Sequence, residues 1–314
     1  MTRAPVQCSA PGKAILFGEH AVVYGEPAIA VPVKQVAATA TVEPAPPADG
    51  LTLVAADLGS RFAFTAAPPQ DPLAFAARLT LDHLSVPVPD AILTIRSAIP
   101  MASGLGSGAA VSTALVRALA QFLGHSLTAA EVSNLVFEVE RIHHGTPSGI
   151  DNTVIAYEQP VYFKHSAGPA PALITAGEPF MLLIANTGLP SPTKRLVSQV
   201  REMWQRDRAP CEVLFGRMGD IAREARSKIE AGDVAALGPL MDENHALLIE
   251  LGVSSSTLDR LVDAARVAGA SGAKLSGAGQ GGNLLALVDG QTADDVALAL
   301  RQAGATRVIR TIVE

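Results

Sequence analysis

Whatever chemistry this sequence can do rests on a few glycine-rich segments, two carboxylates and one lysine. The first segment, Pro100-Met-Ala-Ser-Gly-Leu-Gly-Ser-Gly-Ala-Ala110, lies between a strand-like and a helix-like run. Glycine lets backbone approach an anion closely, and a helix start adds N–H donors and the positive end of a dipole. Ser103, Gly104, Leu105, Gly106, Ser107, Gly108 and Ala109 can therefore cradle a phosphate; the plainer reading is a tight turn of small residues. Glu140 lies late in a helical segment, and Asp151 follows beyond a Pro-Ser-Gly turn. Beside a phosphate cradle two carboxylates can divide the work. One holds Mg2+, and the other orients or deprotonates a hydroxyl nucleophile. Lys13, in Pro11-Gly-Lys-Ala14, is the cation suited to charge on a transferred phosphoryl group. Each also has an ordinary reading on its own: Glu140 a solvated helix residue, Asp151 a helix cap, Lys13 a surface charge.

Other motif classes fit less well. No G-x-x-x-x-G-K-[ST] occurs, so there is no Walker A loop. Gly104-x-Gly106-x-x-Ala109 matches a permissive dinucleotide fingerprint, but the acid it requires about 20 residues on is missing; the nearest is Glu131, inside the next helix. Gly277-x-Gly279-x-x-Gly282 matches too, yet strand-like Leu284–Val288 follows where a helix is needed. Ser107 is not a hydrolase nucleophile elbow, because Leu105 occupies the first glycine position. Glu140-x-x-His143 lacks the second copy a di-metal bundle needs. Cys8 and Cys211 stand far apart, suggesting neither a zinc site nor a disulfide framework.

These residues need elements to hold them. Ala28–Val33, Ala37–Val42, Leu51–Val54, Phe62–Phe64 and Ala91–Arg96 read as strands, with a turn cluster from Pro44 to Gly50. Asp71–Leu84 and Ala109–Leu123 read as helices, and Thr128-Ala-Ala-Glu131 is a capping box opening a helix to His144. Gly145-Thr-Pro-Ser-Gly-Ile-Asp151 reads as the loop that ends it. Beyond it, Phe180–Asn186 is a strand, and helical patterns dominate 194–268. Lys274-Leu-Ser leads into the last glycine loop, followed by strand Leu284–Val288, a helix from Thr292 and strand Arg307–Val313. A soft boundary falls near 165–178, and 314 residues suit two domains.

Composition narrows the partners. Charged residues make up 17%, against roughly 25% in an average domain, and hydrophobics 48%, which argues against disorder. A net charge of −6 argues against a non-specific nucleic-acid binder, since phosphate neutralisation needs clustered Lys and Arg. Mean hydropathy is +0.29. The longest uncharged central stretch is nevertheless a strand, a glycine loop and a helix start rather than a span. No signal-like segment opens the chain, and the expected setting is cytoplasmic.

Taken together, the motifs point further than they do singly. Pro11-Gly-Lys-Ala-Ile-Leu-Phe-Gly-Glu-His-Ala-Val-Val-Tyr-Gly25 resembles the first motif of the GHMP small-molecule kinases. The Gly104–Ala110 loop resembles their ATP-binding motif, and Lys274-Leu-Ser-Gly-Ala-Gly-Gln-Gly-Gly282 their third. Glu140-Arg-Ile-His-His-Gly-Thr-Pro-Ser-Gly-Ile-Asp151 and Met241-Asp-Glu-Asn-His…Leu-Gly-Val253 resemble the family's mevalonate-phosphorylating branch. The resemblance implies an α+β fold of two domains. Residues 1–170 would form a ribosomal-protein-S5-like ATP-binding domain, and 171–314 a ferredoxin-like one. It implies ATP and Mg2+ as cofactors and (R)-mevalonate, phosphorylated to 5-phosphomevalonate, as the small-molecule substrate. No nucleic-acid or membrane partner is implied, and a homodimer stays open.

The implied roles follow residue by residue. Asp151 acts on the hydroxyl with Lys13; Glu140 and Ser107 hold the metal; Ser103–Ala109 hold the ATP phosphates. Lys13, Glu19, His20, Asp151, Ser276 and Gly277 border the substrate. Two positions depart from the family pattern: Gly108 stands where a second Ser is usual, and Ala102 where Gly is common. The alternatives are a sister kinase acting on phosphomevalonate, on the 3-hydroxyl or on a sugar, or a non-catalytic sensor on the same fold. Lys194 and Arg195 are the cations a phosphorylated substrate would use.

Overall fold

The computed structural model describes residues 3–100, 103–144, 147–164 and 171–314. Ala102 and residues 165–170 of the expected boundary lie outside the described residues. The chain packs into two compact units. One holds Met1–Gly12, Val36–Pro100 and Gly106–Glu158, the other Lys13–Gln35, Met101–Leu105 and Gln159–Glu314.

Strands β1 (Val6–Phe17) and β2 (Ala28–Pro44) contribute residues to both units and pair with each other. In the first unit, β2 runs antiparallel to β5 (Ala91–Ser97). β5 lies parallel to β3 (Leu51–Ala55), which pairs in turn with β4 (Ser60–Ala63). The strands predicted at Ala28–Val33 and Ala37–Val42 are thus one. Lys34 and Gln35 are exposed between them, but they continue the ladder direction rather than turning the chain. Residues 6–17 are assigned to no element from the sequence, and β1 runs through Pro11-Gly12. Pro lacks only a ladder donor, and a strand can seat it where no bond is needed.

Among the described residues the α-helices of this unit are α1 (Pro72–Leu84), α2 (Ser107–Phe122), α3 (Ala129–His144) and α4 (Ile150–Tyr157). Asp71 caps α1, accepting from the Ala74 N–H at 2.9 Å. α2 is buried along most of its length by Ala109, Ala110, Ala114, Leu115, Ala118 and Leu119, and α1, α3 and α4 pack against it. Its alanines let these neighbours come close, which suits a chain with only 4% aromatics. The capping box forms as expected. Thr128 N–H donates to Glu131 Oε2 at 2.7 Å and Glu131 N–H to Thr128 Oγ1 at 3.2 Å. Thr128→Ala is expected to cost about 1 kcal/mol, read as a small fall in thermal midpoint with activity unchanged. α4 was not foreseen. The loop predicted to run through Asp151 ends at Gly149, which caps the new helix with φ 88°.

The second unit joins β2 residues 28–30 to β6 (Val161–Phe163), and β6 to β7 (Ala172–Leu173). The remainder runs β8 (Phe180–Asn186), α5 (Thr193–Arg206), α6 (Arg208–Ala231), α7 (Leu237–Glu250) and α8 (Ser256–Val267). β9 (Gly272–Ser276), β10 (Asn283–Val288), α9 (Ala293–Gln302) and β11 (Arg307–Val313) follow. Their sheet order is β11-β8-β10-β9, antiparallel throughout. β10 therefore slots between β8 and β9, the split β-α-β of a ferredoxin-like fold. Leu183, Ala185, Leu248, Leu258, Leu275 and Leu284 form part of its apolar core. α7 meets β9 almost backbone to backbone: a Cβ on Gly272 would lie 2.2 Å from the Gly238 carbonyl oxygen. No helix among the described residues is long and apolar enough to cross a membrane.

Candidate active site

In the first unit the start of α2 is the organising feature. Gly106 is its N-cap at φ 73°, a conformation that favours glycine, and it has no side chain with which to cap this end. Ser107 opens the helix, and the Ala110 N–H closes the first turn on the Gly106 carbonyl at 2.9 Å. Glu140 comes from α3 and is buried. A Cβ at position 108 would sit 3.2 Å from Glu140 Oε1, so Gly108 is where this carboxylate reaches the first turn of α2. Asp151 is the second residue of α4, half-buried, with its charge at the positive end of that helix. α4 is pinned to α3, because Asn152 Nδ2 donates to the Ser133 carbonyl (3.1 Å) and hydroxyl (2.9 Å). Those bonds fix the turn that presents Asp151.

The other predicted residues belong to the second unit. Lys13 lies midway along β1, only 4% exposed, and its backbone N–H donates to the Leu105 carbonyl at 3.0 Å. Leu105 is itself buried and anchors the first glycine loop. Asn283 Nδ2 holds the Ser103 carbonyl at 2.5 Å, and Asn186 Nδ2 donates to Asn283 Oδ1 at 2.9 Å. Ser276 ends β9, its hydroxyl donating to the Ile15 carbonyl of β1 at 2.9 Å. The loop after it is strapped by the 187–195 segment. The Gly282 N–H donates to the Leu189 carbonyl at 2.9 Å, Ser191 Oγ to the Gly279 carbonyl at 2.8 Å, and Arg195 Nη2 to Gln280 Oε1 at 2.8 Å.

Glu19 and His20 are both buried. His20 Nε2 lies 2.9 Å from the Ala278 carbonyl oxygen. That oxygen can only accept, so Nε2 carries the proton. Burial lowers the His20 pKa, against the opposing pull of the Ala278 carbonyl and Glu19, and favours the neutral ring. Glu19 bonds through Oε1 to the Lys274 ammonium and through Oε2 to Asn244 Nδ2 at 3.1 Å. Beside Asn244, His245 Nδ1 accepts from the Leu275 N–H at 3.3 Å. Burial lowers the His245 pKa to about 4, despite Asp259, so this ring too is neutral near pH 7.

The structure thus gathers the predicted residues into two sets. Gly106–Ala109, Glu140 and Asp151 fall in one unit; Lys13, Glu19, His20, Ser103–Leu105, Ser276 and Gly277 fall in the other. Sequence reasoning assigned no role to Lys274, Asn244, Asn186 or Asn283. A lysine inside the apolar run of β9 was the one available signal, since a buried charge demands a partner.

Comparison with known proteins identifies the ensemble. The family model of the GHMP kinases N terminal domain matches residues 72–159, and that of the GHMP kinases C terminal matches 225–306. The mevalonate kinase of Pyrococcus horikoshii is 36% identical, over 98% of this chain and 95% of that protein. Among solved structures, L. major mevalonate kinase in complex with R-mevalonate superposes with a TM-score of 0.85 and 31% identity, covering 100% of this chain and 97% of that one. The Methanococcus jannaschii mevalonate kinase gives 0.85 and 26%, covering 99% and 98%. Two family models in chain order, and relatives similar along almost the whole length, leave one assignment: this chain belongs to the GHMP kinases, within their mevalonate kinase branch.

Proposed function

We propose that this chain transfers the γ-phosphoryl group of ATP to the 5-hydroxyl of (R)-mevalonate. The observation that carries this reading is full-length similarity to mevalonate kinases combined with retention of Lys13, Glu140 and Asp151. Asp151 orients the hydroxyl and takes its proton as the new O–P bond forms and the bond to ADP breaks. Lys13 stabilises charge on the phosphoryl group in flight. Ser103–Ala109 hold the ATP phosphates through backbone N–H groups and the start of α2. His20, Ser276 and Gly277 border mevalonate, with Glu19 behind His20. Catalysis of this kind rests on positioning and electrostatics, without a covalent intermediate. We assign residues 1–170 to ATP binding and 171–314 to the C-terminal domain, and place the reaction in the cytoplasm, without a nucleic-acid or membrane partner.

Magnesium is part of the same reading. A buried carboxylate and a hydroxyl at the start of α2 are hard oxygen donors. Such a donor set suits Mg2+, which takes one or two protein carboxylates and leaves its other positions to water and substrate phosphate. Glu140 and Ser107 would hold it, and it would neutralise phosphate charge; Gly108 contributes only space. Glu140→Gln is expected to raise the Mg2+ concentration for half-maximal rate by about tenfold or more, read from ADP release at fixed ATP.

The deciding assay offers mevalonate, 5-phosphomevalonate, galactose and homoserine with Mg-ATP, follows ADP, and locates the new phosphate by 31P NMR. Turnover of mevalonate with phosphate on the 5-oxygen is expected. Turnover of 5-phosphomevalonate alone would make the chain a sister kinase, and no turnover a sensor. Of the sister readings, one with a phosphorylated substrate would use Lys194 and Arg195. The Arg195 guanidinium already bonds Gln280, which weakens its case as a phosphate ligand.

A further inference from the structure

His20 sits at the centre of an unusual turn. Its φ of 59° and ψ of −49° place it in a γ-turn of the rare positive-φ hand, closed by the Ala21 N–H donating to the Glu19 carbonyl at 2.6 Å. A residue with a Cβ is strained there, and such strain persists only where the surroundings over-determine it. Here they do so from both sides. His20 is held by its ring on Ala278, and Glu19 by both carboxylate oxygens.

The hold on Glu19 is a fully desolvated charge pair. Lys274 is 0% exposed and Glu19 1%. Besides Glu19 Oε1, the Lys274 ammonium donates to the Leu275 carbonyl at 2.7 Å. Burial keeps the Lys274 pKa below the ordinary lysine range, against the opposing attraction of Glu19. A buried ion pair contributes little net stability compared with apolar residues of the same size. Its presence here calls for a reason other than stability, and the strained turn supplies one. With one oxygen on Lys274 and the other on Asn244, and almost no exposed surface, Glu19 is poorly placed to bind substrate itself.

We propose that Lys274 is a positioning residue: its bond to Glu19, completed by Asn244, holds the Glu19–Ala21 γ-turn so that His20 stays fixed against the Gly277–Gly282 loop. Glu19 then acts on mevalonate through His20, not by contact. The chain of parts is short. β9 supplies Lys274 at the root of the loop and Ser276 two residues on; α7 supplies Asn244; the turn after β1 supplies Glu19 and His20. This inference rests on the proposed mevalonate kinase activity, and the measurements below separate the two.

The test compares the wild type with Lys274→Met, the charge-matched double variant Glu19→Gln/Lys274→Met, and the milder Asn244→Leu. Steady-state kinetics are run against mevalonate and ATP separately, with 15N-histidine NMR of the His20 ring. The double variant leaves no unpaired buried charge, so it is expected to fold. Its KM for mevalonate should rise about tenfold or more while KM for ATP stays at the wild-type value. Its His20 nitrogens should shift from a single Nε2–H tautomer toward an averaged one. Asn244→Leu should show the same split in smaller measure. A double variant with wild-type KM for mevalonate and wild-type His20 signals would overturn the proposal. So would losses that track only the folded fraction, equally for both substrates. If the wild type turns over no mevalonate, the proposed activity fails. The NMR comparison needs no substrate and still decides whether the network holds His20.

Discussion

Asp151→Asn and Lys13→Met are each expected to lower kcat for mevalonate by about a thousandfold or more, with the protein still folded. A positioned general base typically contributes 10²–10⁴-fold, and a preorganised charge aimed at the transition state about 10²–10³-fold. Asn keeps the shape of Asp and leaves α4 with a polar first turn, so the loss should fall on chemistry. Met keeps the aliphatic stem of Lys13, which lies in the buried part of β1, while its backbone bond to Leu105 survives. ADP release gives kcat, and circular dichroism with a thermal melt reports folding. Because both groups would act on the same transition state, the double variant should cost little more than the worse single one. Two single variants near wild-type activity would sink the assignment of both residues.

The sequence carried the site's chemistry further than its geometry. The proposed phosphate cradle, carboxylates and lysine could be named from the sequence because each is a local statement: residue types at fixed spacing beside a helix start. Most elements were legible for the same reason. The capping box at Thr128, for example, needs only four residues. β1 and α4 carry no local signal that marks them. β1 is held by pairing with β2, a partner remote in sequence; the loop expected to run to Asp151 stops at Gly149, and Asn152 ties the helix that follows to Ser133. Non-local contacts were out of reach altogether. Glu19 and Lys274 lie 255 positions apart, and no spacing rule joins them. Gly108 shows the converse. The family resemblance marks it as a missing hydroxyl, and the structure adds that Glu140 Oε1 reaches toward the same position.

The largest stability effect is expected from two glycines that frame the His20 turn. Gly18 precedes it at φ 88°, and a Cβ there would lie 2.3 Å from the Pro27 carbonyl oxygen and 2.6 Å from Ala28 Cα. Gly279 follows Ala278, the acceptor of the His20 ring. Its φ is 95°, and its Cβ would lie 2.0 Å from the Val253 carbonyl oxygen. In both cases the clash is with backbone that is itself committed: Ala28 pairs with Phe163 in β2, and the Val253 carbonyl accepts the Gln280 N–H. Neither neighbour can swing aside as a flexible side chain would. Gly18→Ala and Gly279→Ala are therefore each expected to cost about 2–5 kcal/mol, the sum of a forbidden backbone conformation and an overpacked contact. Denaturant unfolding would measure it. Gly25→Ala serves as control, since its φ of 91° is equally strained but nothing lies within 4 Å of its Cβ. It should lose only the conformational part, about 1–3 kcal/mol. If Gly18→Ala and Gly279→Ala lost no more than this control, close backbone approach would not be what these positions require. If they lose more, and mevalonate binding weakens with them, the glycines of these motifs serve substrate by letting three backbone segments meet around one histidine.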